Sequence, residues 1–151
     1  MTLNATIFTP THKLNALPGL RILGLDAKSE VQLVEVLAAG LEPERAERLA
    51  QHLNLSLTGL LELTGIKSST YHDRKKRGRP LSAEESEHIY RLAKLAEAAE
   101  AYFDDRAAAR RWLEHPKVAL GGKSPLAFGR TAEGAAYVLA LLGRMAHGVI
   151  S

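Results

Sequence analysis

Between Ala83 and Phe103 the chain carries apolar residues at Ile89, Leu92, Ala93, Ala96, Ala99 and Phe103. That recurrence at i, i+3, i+4 and i+7 is the stripe of an amphipathic helix, the longest the sequence predicts. Ser82 and Glu85 stand ahead of it with S-x-x-E spacing, so each side chain can satisfy the other's free backbone N–H in a capping box. Composition agrees. Of 151 residues 46% are apolar but only 5% aromatic, so the core must be mostly Leu, Ala, Val and Ile. Abundant Ala and Leu, few β-branched runs and Gly/Pro breaks make the expected fold class all-α. The length suits one domain, or two small ones sharing a core.

Ahead of the long helix, Pro10, Pro18, Gly19 and Gly24 interrupt residues 1–27. These are expected to form a flexible or loosely docked N-terminal arm, with a short strand or turn within 20–25. Ser29 and Gln32, again at capping-box spacing, open the first clear helix, with Val31, Val34 and Leu37 or Ala38 on its buried face and Gly40 as its stop. Pro43 at a first helical position starts another, buried through Ala46, Leu49, Ala50 and Leu53. Beyond the long helix, Asp104 or Asp105 caps a helix through Leu113, which His115-Pro116 ends. Gly121-Gly122 makes a turn, and Ser124-Pro125 opens a short helix. Thr131 caps the last helix, whose apolar face is Ala135, Val138, Leu139, Leu142 and Ala146. Gly148 ends it ahead of Val149-Ile150-Ser151. The break at Gly78-Arg79-Pro80 divides the chain into halves at 28–79 and 80–151 that pack on each other.

Residues 56–80 predict helix, tight turn, helix. Leu57, Leu60, Leu61 and Thr64 supply a short amphipathic helix, Gly65 the turn and Ile66 a buried anchor. Ser68 or Ser69 caps a second helix to about Arg77. This is the helix-turn-helix pattern. Lys67, Arg74, Lys75, Lys76, Arg77 and Arg79 lie within thirteen residues, opposed only by Asp73. Several cations beside a duplex gain by counterion release, largely independent of sequence. Base reading falls to short polar groups near the helix N-terminus, here Ser68, Ser69, Thr70 and His72, with Tyr71 in the core or on a phosphate. The expected DNA-contacting set is Lys67, Ser68, Ser69, Thr70, His72, Arg74, Lys75, Lys76 and Arg79. The competing reading is a solvated basic face on an ordinary helical hairpin, since the formal net charge is only +3.

Chemistry is mostly excluded. Without cysteine there is no disulfide, thiolate catalysis or cysteine zinc site. No histidine pair has H-x-x-x-H spacing, and Glu85–His88 is a single Glu-x-x-His where a di-iron bundle needs two. Gly121-Gly122-Lys123-Ser124 lacks the first glycine of a phosphate loop, and no serine sits in a nucleophile elbow. No catalytic residue, metal or cofactor is expected. No apolar run approaches the roughly 20 residues that span a bilayer, and no signal-peptide core is visible, so a cytoplasmic protein is expected. Trp112 predicts a core anchor at a helix end. By periodicity alone Arg144, Met145 and His147 are a solvated final turn.

Read together, Leu81-Ser82-x-Glu84-Glu85-Ser86, Arg91-Leu92-Ala93, Trp112-Leu113 with Pro116, Leu120-Gly121-Gly122, Pro125-Leu126, Thr131-x-x-Gly134 and Leu142-Gly143-Arg144-x-x-His147-Gly148-Val149 resemble the Xre/MbcA/ParS antitoxins, which pair with RES-domain toxins. The resemblance covers roughly residues 58–151. Ala127-Phe128-Gly129-Arg130 depart from it, where the family more often has larger aliphatic residues. It implies an N-terminal Xre-like helix-turn-helix domain packed on a C-terminal toxin-binding domain. It implies an antitoxin that covers the active site of an NAD-consuming toxin with its C-terminal region, and here that role falls on Arg144, Met145, His147, Gly148, Val149, Ile150 and Ser151. It also implies autorepression at operator DNA by a homodimer, and a higher-order complex with the toxin. The alternative is a stand-alone Xre-type repressor whose C-terminal half only dimerises or senses a ligand.

Overall fold

The computed structural model describes residues 17–148. Among these the chain forms nine α-helices and one 3-10 turn: α1 Leu20–Leu23, α2 Glu30–Ala39, α3 Pro43–Leu53, α4 Leu57–Thr64, α5 Ser68–Arg77, α6 Ala83–Phe103, α7 Arg106–Glu114, the turn Val118–Leu120, α8 Pro125–Phe128 and α9 Ala132–Ala146. The all-α expectation holds.

The long helix α6 is the axis of the fold. Its capping box is complete: Glu85 N donates to Ser82 Oγ at 3.0 Å and Ser82 N to the Glu85 carboxylate at 2.8 Å. α1, α2, α3, α4, α7 and α9 all pack on it. Ile89, Ala93, Ala96 and Ala99 are fully buried, as the stripe predicted, but so are Leu95 and Ser86. A helix covered on several sides buries more than one stripe. Small alanines on its surface let the neighbouring backbones approach closely. The Ser86 Oγ accepts from Leu41 N at 2.7 Å and so satisfies a buried backbone donor between α2 and α3. Leu81 N donates to Leu41 O at 2.8 Å beside it. This backbone approach requires Gly40, where a Cβ would stand 2.1 Å from Leu81 O.

Several expectations change. The described part of the N-terminal arm is neither loose nor a strand. α1 is one helical turn with Ile22 and Leu23 buried. It is pinned by Arg45 donating to Leu23 O and Gly24 O, by Arg48 donating to Ile22 O, and by Gly19 N donating to Glu97. Its brevity hid it, because one turn has no period to read. Residues 1–16 of that arm lie outside the described residues. On α2, Leu33 and Leu37 face inward, while Val31 and Val34 are 67% and 64% exposed. Two apolar stripes compete on that helix, and the larger leucines win the core because they bury more area. Its cap is also not a full box: Ser29 accepts from Gln32 N, but the Gln32 side chain takes Lys28 N. Of the Asp104–Asp105 pair, Asp105 caps α7 and Asp104 ends α6 in the left-handed region at φ 53°. Near the end of α9, Ala146 is exposed and Met145 packs on the core instead. Trp112 is a half-buried anchor, its ring 5.9 Å from that of Phe103.

Leu23 separates a docked α1 from a loose arm. Replacing it with Ala should cost about 2–5 kcal/mol, the usual range for a large-to-small core change. Urea unfolding of the L23A protein measures it, and a loss near zero would return residues 17–27 to a loosely attached arm.

Candidate functional site

The helix-turn-helix surface is assembled locally. Ser56 Oγ accepts from Gly59 N at 3.0 Å and starts α4. Gly65 ends it at φ 75°, a left-handed turn suited to glycine. Ile66 is buried as expected, and Thr64 is buried with its hydroxyl donating to backbone carbonyls of its own helix. α5 then begins one residue earlier than a serine cap would set it. Lys67 is the N-cap and offers no side-chain bond. Ser68 and Ser69 are therefore helical and exposed, their hydroxyls not used as caps, with His72 also exposed and Thr70 half-buried. These are short polar groups on the first turns of the second helix, where a recognition helix meets base edges.

The cations divide into two groups that the sequence does not distinguish. Tyr71 is fully buried, and its hydroxyl donates to the Glu47 carboxylate, with Pro43 O 3.1 Å away. Lys75 Nζ donates to the same carboxylate. Arg74 Nε stands 3.1 Å from Glu85, an ion pair without hydrogen-bond geometry, and so adds to the capping box of α6. Arg77 pairs with Asp73 at 2.9 Å along the helix. Lys67, Lys76 and Arg79 are exposed and have no ion-pair partner among the described residues. Glu47 on α3 thus fixes one side of α5 and Glu85 on α6 the other. Neither pairing was legible in the sequence: Glu47 lies 28 residues from Lys75, and Glu85, read only as a cap, reaches Arg74 across the break at Gly78–Pro80.

The second surface lies at the C-terminal end. Thr131 Oγ1 accepts from Gly134 N at 3.0 Å and caps α9. Gly134 is required there, because a Cβ would fall 1.8 Å from Phe128 O. The Phe128 and Tyr137 rings meet edge to face at 5.5 Å, and the Arg144 guanidinium lies 5.9 Å from the Tyr137 ring. Arg144, His147 and Gly148 are exposed, whereas Met145 turns back to the core. His147 ends the helix, its Nδ1 2.8 Å from Gly143 O. Val149, Ile150 and Ser151 lie outside the described residues. Between α4 and the α8–α9 segment runs an open groove of about 820 Å³. Among the described residues no group of three His, Asp or Glu side chains is arranged to hold a metal ion. No helix there is long and apolar enough to cross a membrane.

The Glu47 carboxyl is held below its ordinary value of 4.5, first by the Lys75 hydrogen bond and then by that of Tyr71. A carboxylate with a lowered folded-state pKa contributes stability that is full above its unfolded value and is lost as pH falls through the folded one. Urea titrations between roughly pH 3 and 6 should therefore show a shallower acid decline for Glu47→Gln than for the unaltered chain. Equal slopes would mean that the clamp contributes nothing to folding.

Comparison with known proteins fits both surfaces. The family model described as the antitoxin Xre-like helix-turn-helix domain matches residues 32–94. That of the antitoxin Xre/MbcA/ParS C-terminal toxin-binding domain matches residues 98–148. The two matches meet inside α6. Antitoxin Xre of Yersinia enterocolitica is 32% identical over 95% of this chain and 96% of its own length. Antitoxin Xre of Photorhabdus laumondii is 29% identical over 96% and 99%. A Prs ADP-ribosylating antitoxin of Sphingobium is 27% identical over 82% and 83%. With an Xre-like helix-turn-helix followed by a toxin-binding domain along one shared helix, the chain belongs to the Xre family of antitoxins.

Proposed function

We propose that this antitoxin neutralises a RES-domain toxin that consumes NAD by covering the toxin's active site with its C-terminal region. The observation that carries the reading is the end of α9, where Arg144 and His147 stand exposed on the domain matched to toxin binding. A guanidinium and an imidazole at the rim of a cofactor cleft suit an anionic ligand site or the carboxylates around it. The Sphingobium relative is named for ADP-ribosylation, a chemistry that starts from NAD, which supports a toxin of that class here. Arg144, His147, Gly148, Val149, Ile150 and Ser151 form the inhibitory segment, with Met145 anchoring it to the core. The antitoxin itself acts by occlusion in the cytoplasm, without catalysis and without a cofactor. Residues 80–151 carry this role and residues 28–79 the DNA-binding one. Measuring NAD consumption by the cognate toxin tests the reading. The full chain should block it, and a chain ending at His147 should not. Equal blocking by both would take inhibition off residues 148–151 and leave it to Arg144, His147 and the helical body, and failure of both would favour a stand-alone repressor.

The second role is autorepression at operator DNA as a homodimer, whose two-fold symmetry suits a palindromic site. Ser68, Ser69, Thr70 and His72 face the bases, and Lys67, Lys76 and Arg79 take phosphates. Arg74 and Lys75 hold the helix in place through Glu85 and Glu47. Each phosphate contact removed should lower the salt slope of DNA binding by about one. Lys76→Ala and Arg79→Ala should each do so in binding titrations at several salt concentrations, and Lys75→Met should leave the slope unchanged. A Lys75→Met slope reduced as much as the others would put Lys75 on a phosphate.

A further inference from the structure

The groove between α4 and the α8–α9 segment has one wall from each matched domain. Glu62 and Leu63 come from the helix-turn-helix side. Lys123, Phe128, Arg130 and Tyr137 come from the toxin-binding side. Apolar groups line it and charges of both signs rim it, which is the anatomy of a protein interface. Its size, about 820 Å³, is that of a site that takes a few large side chains. Tyr137 is 44% exposed on this wall, its ring set edge to face against Phe128 at 5.5 Å.

Tyr137 also connects the groove to the inhibitory end of α9. Arg144 lies seven residues on, its guanidinium 5.9 Å from the Tyr137 ring. Two turns of helix bring i and i+7 to one face, so Glu133, Tyr137 and Arg144 make a single outward strip from groove to terminus. Aromatic and arginine side chains in such a strip are the residue types that dominate binding energy.

We infer that the toxin's footprint continues from the end of α9 back along this strip into the groove, so that one apolar segment of the toxin is anchored between Tyr137 and Leu63 and touches both domains of the antitoxin. This rests on the toxin partner proposed above. The toxin is the occupant because the groove is continuous with the toxin-binding domain through Tyr137 and Arg144. A toxin seated there lies against α4, the helix that precedes the recognition helix α5. Toxin occupancy therefore bears on the DNA-reading half by direct contact and needs no signal through the core.

Isothermal titration of purified RES-type toxin into the full chain tests it, with Tyr137→Ala, Leu63→Ala and Glu62→Arg as groove variants and the chain ending at His147 as reference. Tyr137→Ala and Leu63→Ala should each weaken association about tenfold or more, as truncation of an anchored side chain does. Glu62→Arg is exposed and reports on the α4 wall without touching the core. It should change affinity severalfold even if Leu63→Ala proves unstable in thermal unfolding. Groove variants that bind as tightly as the full chain, while the chain ending at His147 fails to inhibit, would overturn the inference and leave the occlusion reading standing. Groove variants that alter only self-association in sedimentation would overturn it in favour of a second antitoxin copy. Weakened groove variants beside a fully inhibitory truncated chain would uphold the groove and sink the tail as the plug.

Discussion

Everything else in the molecule leans on the burial of α6. Helices from both ends of the chain pack on it, and its surface is mostly Ala and Leu at the contacts. A side chain as small as alanine costs little entropy to bury and lets a neighbouring backbone come close. The penalty of close approach is that backbone donors lose water and must find another acceptor. Ser86 meets that need for Leu41 N, and the Leu81–Leu41 backbone bond closes the same junction. Since the two family matches meet within α6, the helix-turn-helix and toxin-binding domains share one helix and one hydrophobic core.

Electrostatics then sorts the cations of α5. A row of cations looks uniform in sequence, but carboxylates from α3 and α6 pair with two of them, Lys75 and Arg74. Glu47 binds both the buried Tyr71 hydroxyl and Lys75, so the same group that satisfies a core polar atom also sets the rotation of α5. Arg74 shares Glu85 with the cap of α6, which ties the start of the central helix to the end of α5. The charge offered to a partner is smaller and more localised than the composition of the segment suggests. It is concentrated at Lys67, Lys76 and Arg79, at the two ends of the element.

Legibility follows the range of the interaction. Caps at Ser82, Ser124 and Thr131 and the stops at Gly40, Gly65 and Gly78 act within one turn, and the sequence reading of each agrees with the structure. Period-based readings succeeded for α3, α6 and most of α9. They failed where two apolar stripes ran side by side, as for Val31 and Val34 against Leu33 and Leu37. α1 was read only as a short strand or turn, because a single helical turn has no period to mark it. At the sites, the candidate DNA-facing residues could be found from charge and spacing, but their partners Glu47 and Glu85 could not. Leu63, Phe128 and Tyr137 carried no local mark either, since a groove between two helical segments exists only once both are placed.

Short-range information suffices for an all-α chain, the order of its main helices and the helix-turn-helix pattern. These depend on contacts a few residues apart, on backbone preferences of Gly and Pro, and on side-chain caps. Packing alone settles which cations on α5 remain available, that residues 17–27 contribute core, that Met145 turns inward beside an outward Arg144, and that the two halves meet across a groove. Each of those outcomes is a competition between partners distant in the chain, and it is resolved only when burial around α6 brings them together.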